Sequence, residues 1–231
     1  PWPLKDGGAI ATFQLMRYLR EAGHEMGVLA LNTSRHRQDP AVISTYAKVW
    51  ATEIDTDIRA LPALKALFET WFLGKPPYNI RRFQSAAHAQ LITQRIRSFQ
   101  PDVVQLEGVY MALYLEAIRK ANPKVPVVLR AHNVEAEIWQ RLARHAPFGP
   151  KRWYYQHTAR GVKQFERRVL PRFHGVVAIT PKDAAAFTEM GFRGELTCIP
   201  AGIDPSEFPI TLPETNAQSR TVGWLASMDW L

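Results

Sequence analysis

The 231-residue sequence contains a single cysteine, Cys198. An internal disulfide framework and a Cys-based zinc cluster are therefore excluded, and a reducing compartment fits best. No apolar run approaches the roughly 20 residues that span a bilayer, and no basic-then-apolar signal segment opens the chain, so a soluble, cytoplasmic protein is expected. Neither the dinucleotide fingerprint G-x-G-x-x-G nor a P-loop occurs, which weakens ordinary NAD and ATP readings. Internal repeats and low-complexity tracts are absent as well. With 46% hydrophobic residues the composition is that of a globular protein, and the length corresponds to about one and a half ordinary domains.

Acidic residues are scarce in one place. The chain has 29 Lys and Arg against 21 Asp and Glu, a net charge of +8. Segment 139–174 alone holds nine of the basic residues (Arg141, Arg144, Lys151, Arg152, Arg160, Lys163, Arg167, Arg168, Arg172) and one acid, Glu166. The rest of the chain balances. A uniformly basic coat for nucleic acid is thus disfavoured, and one local basic element needs an explanation.

Short β-branched runs bounded by Pro, Gly and Asp alternate with longer helical patterns, the signature of βα units feeding a mostly parallel sheet. The expected strands are 27–31, 102–107, 125–131, 175–179 and 195–200, with a weaker one at 48–54. Each is apolar on both alternations, as a strand covered by helices on both faces should be. Helices are expected at 9–22, 57–72, 80–99, 110–121, 134–145, 153–170 and 182–190. Residues 212–221 are polar and turn-rich, as a linker is, and a further strand pattern begins after them. The opening segment has the pattern of a loop, first helix and second strand of a βαβ unit, so a first strand is expected upstream of Pro1.

Several motifs could carry chemistry. In "KDGGAIATF", Gly7 and Gly8 precede a helix, where small residues and unpaired N–H groups suit a phosphate; a simple tight turn is the alternative. In "VVLRAHNVEAEIW", His132 and Asn133 follow a strand, at the edge where open α/β sheets place their ligand crevice. Asn133 can instead cap the next helix, with Glu135 and Glu137 favoured in its first turn. In "DVVQLEGVYMALYL", Glu107 ends a strand at the same edge and Tyr110 lies just beyond. The pair could bind hydroxyls and stack on a sugar ring, or cap and pack locally. In "AITPKDAAAF", Thr180, Pro181 and Asp183 form a capping-box arrangement at that edge.

On a helical wheel of about 100° per residue, Tyr154, Thr158, Val162, Phe165 and Val169 share an arc of roughly 80°. Arg152, Arg160, Lys163 and Arg167 share an equally narrow arc opposite. This helix is expected to bury one face and expose a basic stripe. A solvated face is the plain reading; a stripe nearly free of acids also fits an anionic surface. Without interleaved aromatics or a recognised nucleic-acid motif, phospholipid or an anionic acceptor is favoured over nucleic acid. Trp71, Phe72, Pro76, Pro77 and Tyr78 form a cluster that could line an acceptor groove or dip into a membrane surface.

In order, "PLKDGG" with the following helix and "EAGHEMGVL", then "RAHNVE" with "IW", then "VVAITPKDAAAF" with "IPAGIDPSEF", resemble the N-terminal, acceptor-side domain of a GT-B glycosyltransferase, most closely retaining glycosyltransferase family four. The resemblance implies an α/β, Rossmann-like, mostly parallel sheet with helices on both faces, as one half of a two-domain fold. Residues 1–211 would be the acceptor domain, 212–220 the interdomain linker and 221–231 the first strand of a donor domain. It also implies sugar transfer from a nucleotide donor with retention, without an obligatory metal or other cofactor. Gly7 and Gly8 would then approach the donor phosphates, and His132 would contact the transferred sugar as the catalytic residue. Glu107, Tyr110, Asn133 and Thr180 would line the acceptor side of the cleft. Arg152, Arg160, Lys163 and Arg167 would meet an anionic membrane in a cytoplasmic, membrane-associated enzyme acting on a glycan, lipid-linked or other cell-envelope acceptor. The nucleotide grip lies largely in the family's second domain, so residues 1–231 alone are expected to be nearly inactive. The alternative is a non-catalytic Rossmann-like module that holds a polyanion on helix 151–172.

Overall fold

The computed structural model describes residues 3–4, 7–34, 37–57, 60–202 and 204. The "IPAGIDPSEF" motif after Gly202, apart from Asp204, lies outside the described residues, as do the expected linker at 212–220 and strand at 221–231. The chain runs α1 (Gly7–Glu21), β1 (Gly27–Thr33), β2 (Lys48–Ile54), α2 (Ala60–Leu73), α3 (Tyr78–Arg81), α4 (Ala86–Phe99), β3 (Val104–Glu107), α5 (Leu115–Ala121), β4 (Val127–Ala131), α6 (Glu135–His145), α7 (Pro150–Val169), β5 (Gly175–Ala178), α8 (Pro181–Glu189) and β6 (Glu195–Cys198). Among the described residues all pairings are parallel: β1 with β2 in one sheet and β3-β4-β5-β6 in another. This is the α/β, helix-covered architecture that the alternation of runs predicts.

Two expected helices are broken. The stretch 80–99 splits into α3 and α4, because Ser85 leaves the helical conformation and its side chain accepts from the His88 backbone N–H, capping α4. The stretch 110–121 begins as a 3-10 turn at Val109–Tyr114 and becomes α-helical only at Leu115. Gly108 introduces that turn at φ +84°, a conformation that favours glycine, while its N–H still donates to the Arg130 carbonyl at 2.9 Å. The sheet is also less uniformly covered than its composition indicates. Leu129 and Val127 of β4 and Val176 and Ala178 of β5 are buried, whereas β6 is an edge strand with alternate residues exposed.

The main core packs β3 to β5 against α4, α5 and α7 through Ile92, Ile96, Leu115, Ile118, Leu129, Val162 and Phe165. Truncating a side chain such as Leu129 to Ala would cost about 2–5 kcal/mol. A smaller cluster of Phe13, Met16, Ile43 and Ala47 seats α1 over Val28 and Val49. Asp204 returns to α1, 2.5 Å from Arg17.

The buried stripe on α7 holds as expected at Thr158, Val162, Phe165 and Val169. No helix of the described residues is long and apolar enough to cross a membrane.

Candidate functional site

Parallel strands bring their carboxyl ends to one edge of the sheet, and there β3 ends at Glu107 and β4 at Ala131. Register pairs Glu107 with Arg130, while His132 follows β4 directly. The three side chains converge. Oε2 of Glu107 lies 2.6 Å from Nε2 of His132 and 3.3 Å from Nη1 of Arg130, and it accepts from the Thr12 hydroxyl of α1 at 3.1 Å. Oε1 accepts from the Gln105 amide at 2.5 Å.

Burial pushes the Glu107 carboxyl up, yet the His132 hydrogen bond, the Arg130 charge and the Gln105 amide outweigh it and hold the group below the usual carboxylate range. An ionised Glu107 requires the proton on Nε2 of His132, which fixes the tautomer. Four donors reach this carboxylate, three of them crowded on Oε2 and one on Oε1. Oε1 therefore keeps an acceptor site open, while Oε2 holds His132 and pairs with the almost fully buried Arg130.

Nδ1 of His132 is buried and without a hydrogen-bond partner among the described residues. Such an orphaned nitrogen costs about 1–3 kcal/mol. The neighbouring Asn133 is exposed, and here the local capping expectation fails. Val134 occupies the N-cap of α6 with no side-chain cap bond. The cap is supplied from α7: the Glu166 carboxylate accepts from the backbone N–H groups of Glu135 at 2.9 Å and Ala136 at 3.2 Å. Asn133 takes no part in the cap.

Glu166, the one acid of the basic segment, is fully buried. Burial, with the Glu135 and Glu137 charges, raises it to about 7 against the opposing pull of the two amides.

Tyr110 donates its hydroxyl to Oε2 of Glu135 at 2.7 Å and leans its ring on Phe83, with centroids 5.6 Å apart. Burial and the Glu135 charge push its phenol up. Glu135 is raised by burial, with the Tyr110 bond and His132 opposing. Tyr110 is thus one contact from the His132 neighbourhood.

Thr180 is exposed beyond β5 and caps α8, accepting from the Asp183 N–H at 3.1 Å and donating to its carboxylate at 2.7 Å. Gly7 and Gly8 are the first residues of α1, two positions earlier than the periodicity indicates. Space is open around Gly7. Thr12, one turn further along, ties that helix end to Glu107.

The structure therefore joins α1, Glu107 and His132 in one network, with Asn133 beside it and Tyr110 behind; Thr180 stands on a neighbouring strand end. Thr12, Arg130 and Glu166 escaped the sequence reading. Arg130, a cation inside an apolar strand, and Glu166, the lone acid among nine cations, were the available signals. Among the described residues no three His, Cys, Asp or Glu side chains converge as a metal-binding group.

On the stripe, Arg160 and Arg167 are exposed and Arg152 and Lys163 half-exposed, and none of the four makes an ion pair among the described residues.

A parallel, helix-covered sheet with a polar network at its carboxyl ends defines a Rossmann-like domain, a fold in which ligands commonly bind at the strand tips. The chain matches Glycosyltransferase Family 4 over residues 5–207, and it belongs to that family. It is a glycosyltransferase-type domain of the GT-B kind, resembling the N-terminal half. No curated protein matches it.

Proposed function

We propose that residues 1–211 form the acceptor-side domain of a retaining glycosyltransferase that takes its sugar from a nucleotide donor. A donor domain, joined through 212–220 and beginning at 221–231, completes the cleft. The observation that carries this reading is the network in which Glu107 fixes His132 beside the N-terminal end of α1.

In retaining transfer the enzyme stabilises a departing phosphate and oxocarbenium-like charge, with little covalent work. The N–H groups of Gly7 and Gly8, in the first turn of α1, with the helix dipole suit the donor phosphates. In this reading His132 contacts the transferred sugar, with the Glu107 carboxylate behind its ring holding the Nε2 proton. Asn133 supplies a free amide next to His132, and Tyr110 and Thr180 border the acceptor. The acceptor is a glycan, a lipid-linked sugar or another cell-envelope component, and the basic stripe on α7 meets an anionic membrane as a peripheral contact of a cytoplasmic enzyme. No cofactor beyond the sugar nucleotide takes part.

The test is nucleotide release from a panel of sugar nucleotides by the two-domain enzyme. His132→Ala should lower turnover about 100-fold or more with little change in melting temperature. An unchanged rate removes His132 from the mechanism, and measurable transfer by residues 1–231 alone contradicts the division of labour between domains.

A further inference from the structure

α2 and α7 cross at Gly161, where an added Cβ would meet Thr70 at 3.0 Å. Beyond that crossing lies an aromatic surface. Phe68, Trp71, Phe72 and Leu73 of α2 are 58–66% exposed, and Trp153 of α7 is 46% exposed. Their rings stack on one another rather than on the core. Trp71 lies 5.4 Å from the His157 ring, 5.9 Å from Trp153 and 6.3 Å from Phe72, and Phe72 lies 4.5 Å from Phe68. Burial, and the nearby Arg160 charge, hold the His157 imidazole below its ordinary range, so the plate between the tryptophans is uncharged at neutral pH. A contiguous apolar patch of this kind marks an interaction surface.

Its electrostatic setting selects the partner. On the α7 wheel, Trp153 falls about 20° beyond Arg160, so the aromatic patch borders the stripe of Arg152, Arg160, Lys163 and Arg167. The acids nearby are silenced: Glu69 of α2 is bound by Lys75 at 3.1 Å and Arg81 at 2.5 Å, and Glu166 is buried. Arg168 donates to the Gly74 carbonyl and pins the end of α2 to α7. The result is a held aromatic face rimmed by cations that make no ion pair among the described residues. Indole rings favour the headgroup level of a bilayer, and cations are drawn to the negative potential of anionic lipid.

We propose that this face of α2 and α7 is an insertion surface for an anionic phospholipid bilayer: the aromatic side chains enter the interface and the α7 stripe meets the phosphates. The inference rests on the membrane contact in the proposed function and adds an apolar anchor to it. It leaves the catalytic network clear. Trp153 precedes Glu166, the cap behind His132, by 13 residues of one helix, or about 20 Å of rise.

The experiment is sedimentation of the 231-residue chain with phosphatidylcholine vesicles, with and without phosphatidylglycerol, alongside quenching of tryptophan emission by brominated acyl chains. Binding should require the anionic lipid. Trp71→Phe with Trp153→Phe should remove most of the quenching. Trp71→Ser with Trp153→Ser should weaken binding at least about tenfold; the exposed single change Phe72→Ser repeats the test should that double variant fail to fold. Wild-type binding by the folded serine variants, or no quenching in the wild type, overturns the insertion surface. If Arg160→Glu with Lys163→Glu loses binding while those serine variants keep it, the basic contact stands and the anchor falls. A wild type that ignores vesicles but dimerises through Trp153, by light scattering, overturns both.

Discussion

Oε2 of Glu107 lies 2.6 Å from Nε2 of His132, and the same oxygen also receives Thr12 and Arg130. One carboxylate oxygen thus sets the tautomer of the imidazole, pairs a buried guanidinium and anchors α1 to the strand tips.

Replacing Glu107 by Gln keeps the shape and removes the charge. The amide oxygen can still accept at the crowded Oε2 position, but Arg130 loses its countercharge and the His132 proton is freer to move to Nδ1. In the two-domain enzyme, turnover should fall about 10–100-fold, with KM for the donor changed less. The ring-nitrogen NMR shifts of His132 should report the change of tautomer. Retention of the Nε2–H form in the variant would show that Glu107 does not set it.

Glu166 gives stability an unusual slope. Its folded value, about 7, lies above the ordinary 4.5, so the native state holds a proton that the unfolded state releases between those values. Its stabilisation is complete below about pH 4.5 and is lost as pH rises through 7, a loss on the order of 3 kcal/mol. Glu166→Gln should keep one amide bond to α6 and abolish the loss, so the variant should gain on the wild type in urea unfolding at pH 8 relative to pH 5. Equal profiles for the two proteins would rule out the buried charge as the source.

Local patterns in the chain mark β2 end to end and place Glu107 and His132 at strand ends. Their meeting was beyond local rules. Glu107 opposes Arg130 through register, and Thr12 reaches Glu107 across 95 positions. At α6 a nearby Asn133 satisfied the capping rule on paper, yet a carboxylate 31 positions away took the two amides. The break before α4 was masked because apolar spacing continues through "YNIRRFQSAAH", while only Ser85 signals the new start. Periodicity found which face of α7 is buried. It said nothing about α2 packing beside that face, or about the aromatic patch formed there.

His88 supplies the opposite slope. It is 2% exposed, 3.1 Å from the Thr52 hydroxyl and edge-on to Tyr114. Burial depresses the imidazole from 6.5 to about 4. The unfolded chain therefore takes up a proton that the folded chain refuses, and stability present above pH 6.5 is lost as pH falls toward 4. Between 4.5 and 6.5 His88 and Glu166 oppose each other, so the wild-type profile should be flatter there than that of either variant. His88→Gln should lose stability with rising pH across this window and Glu166→Gln should gain it. Parallel profiles for the two variants would refute the opposition.

The packing of α2 on α7 depends on the missing side chain at Gly161. A Cβ there meets Thr70 Cγ2 at 3.0 Å and Pro77 Cγ at 3.3 Å, both on the segment that carries Trp71 and Phe72. Gly161→Ala trades up to about 1 kcal/mol of helix propensity against a displacement of a few tenths of an ångström. Gly161→Val adds two methyl groups in the same gap and should destabilise by about 1–3 kcal/mol, lowering the melting temperature by roughly 3–10 °C. It should also weaken the near-ultraviolet dichroism of the Trp71, His157 and Trp153 stack, since α2 must retreat from α7 for the valine to fit. A valine variant with wild-type melting and an unchanged aromatic spectrum would mean that α2 does not rest on Gly161.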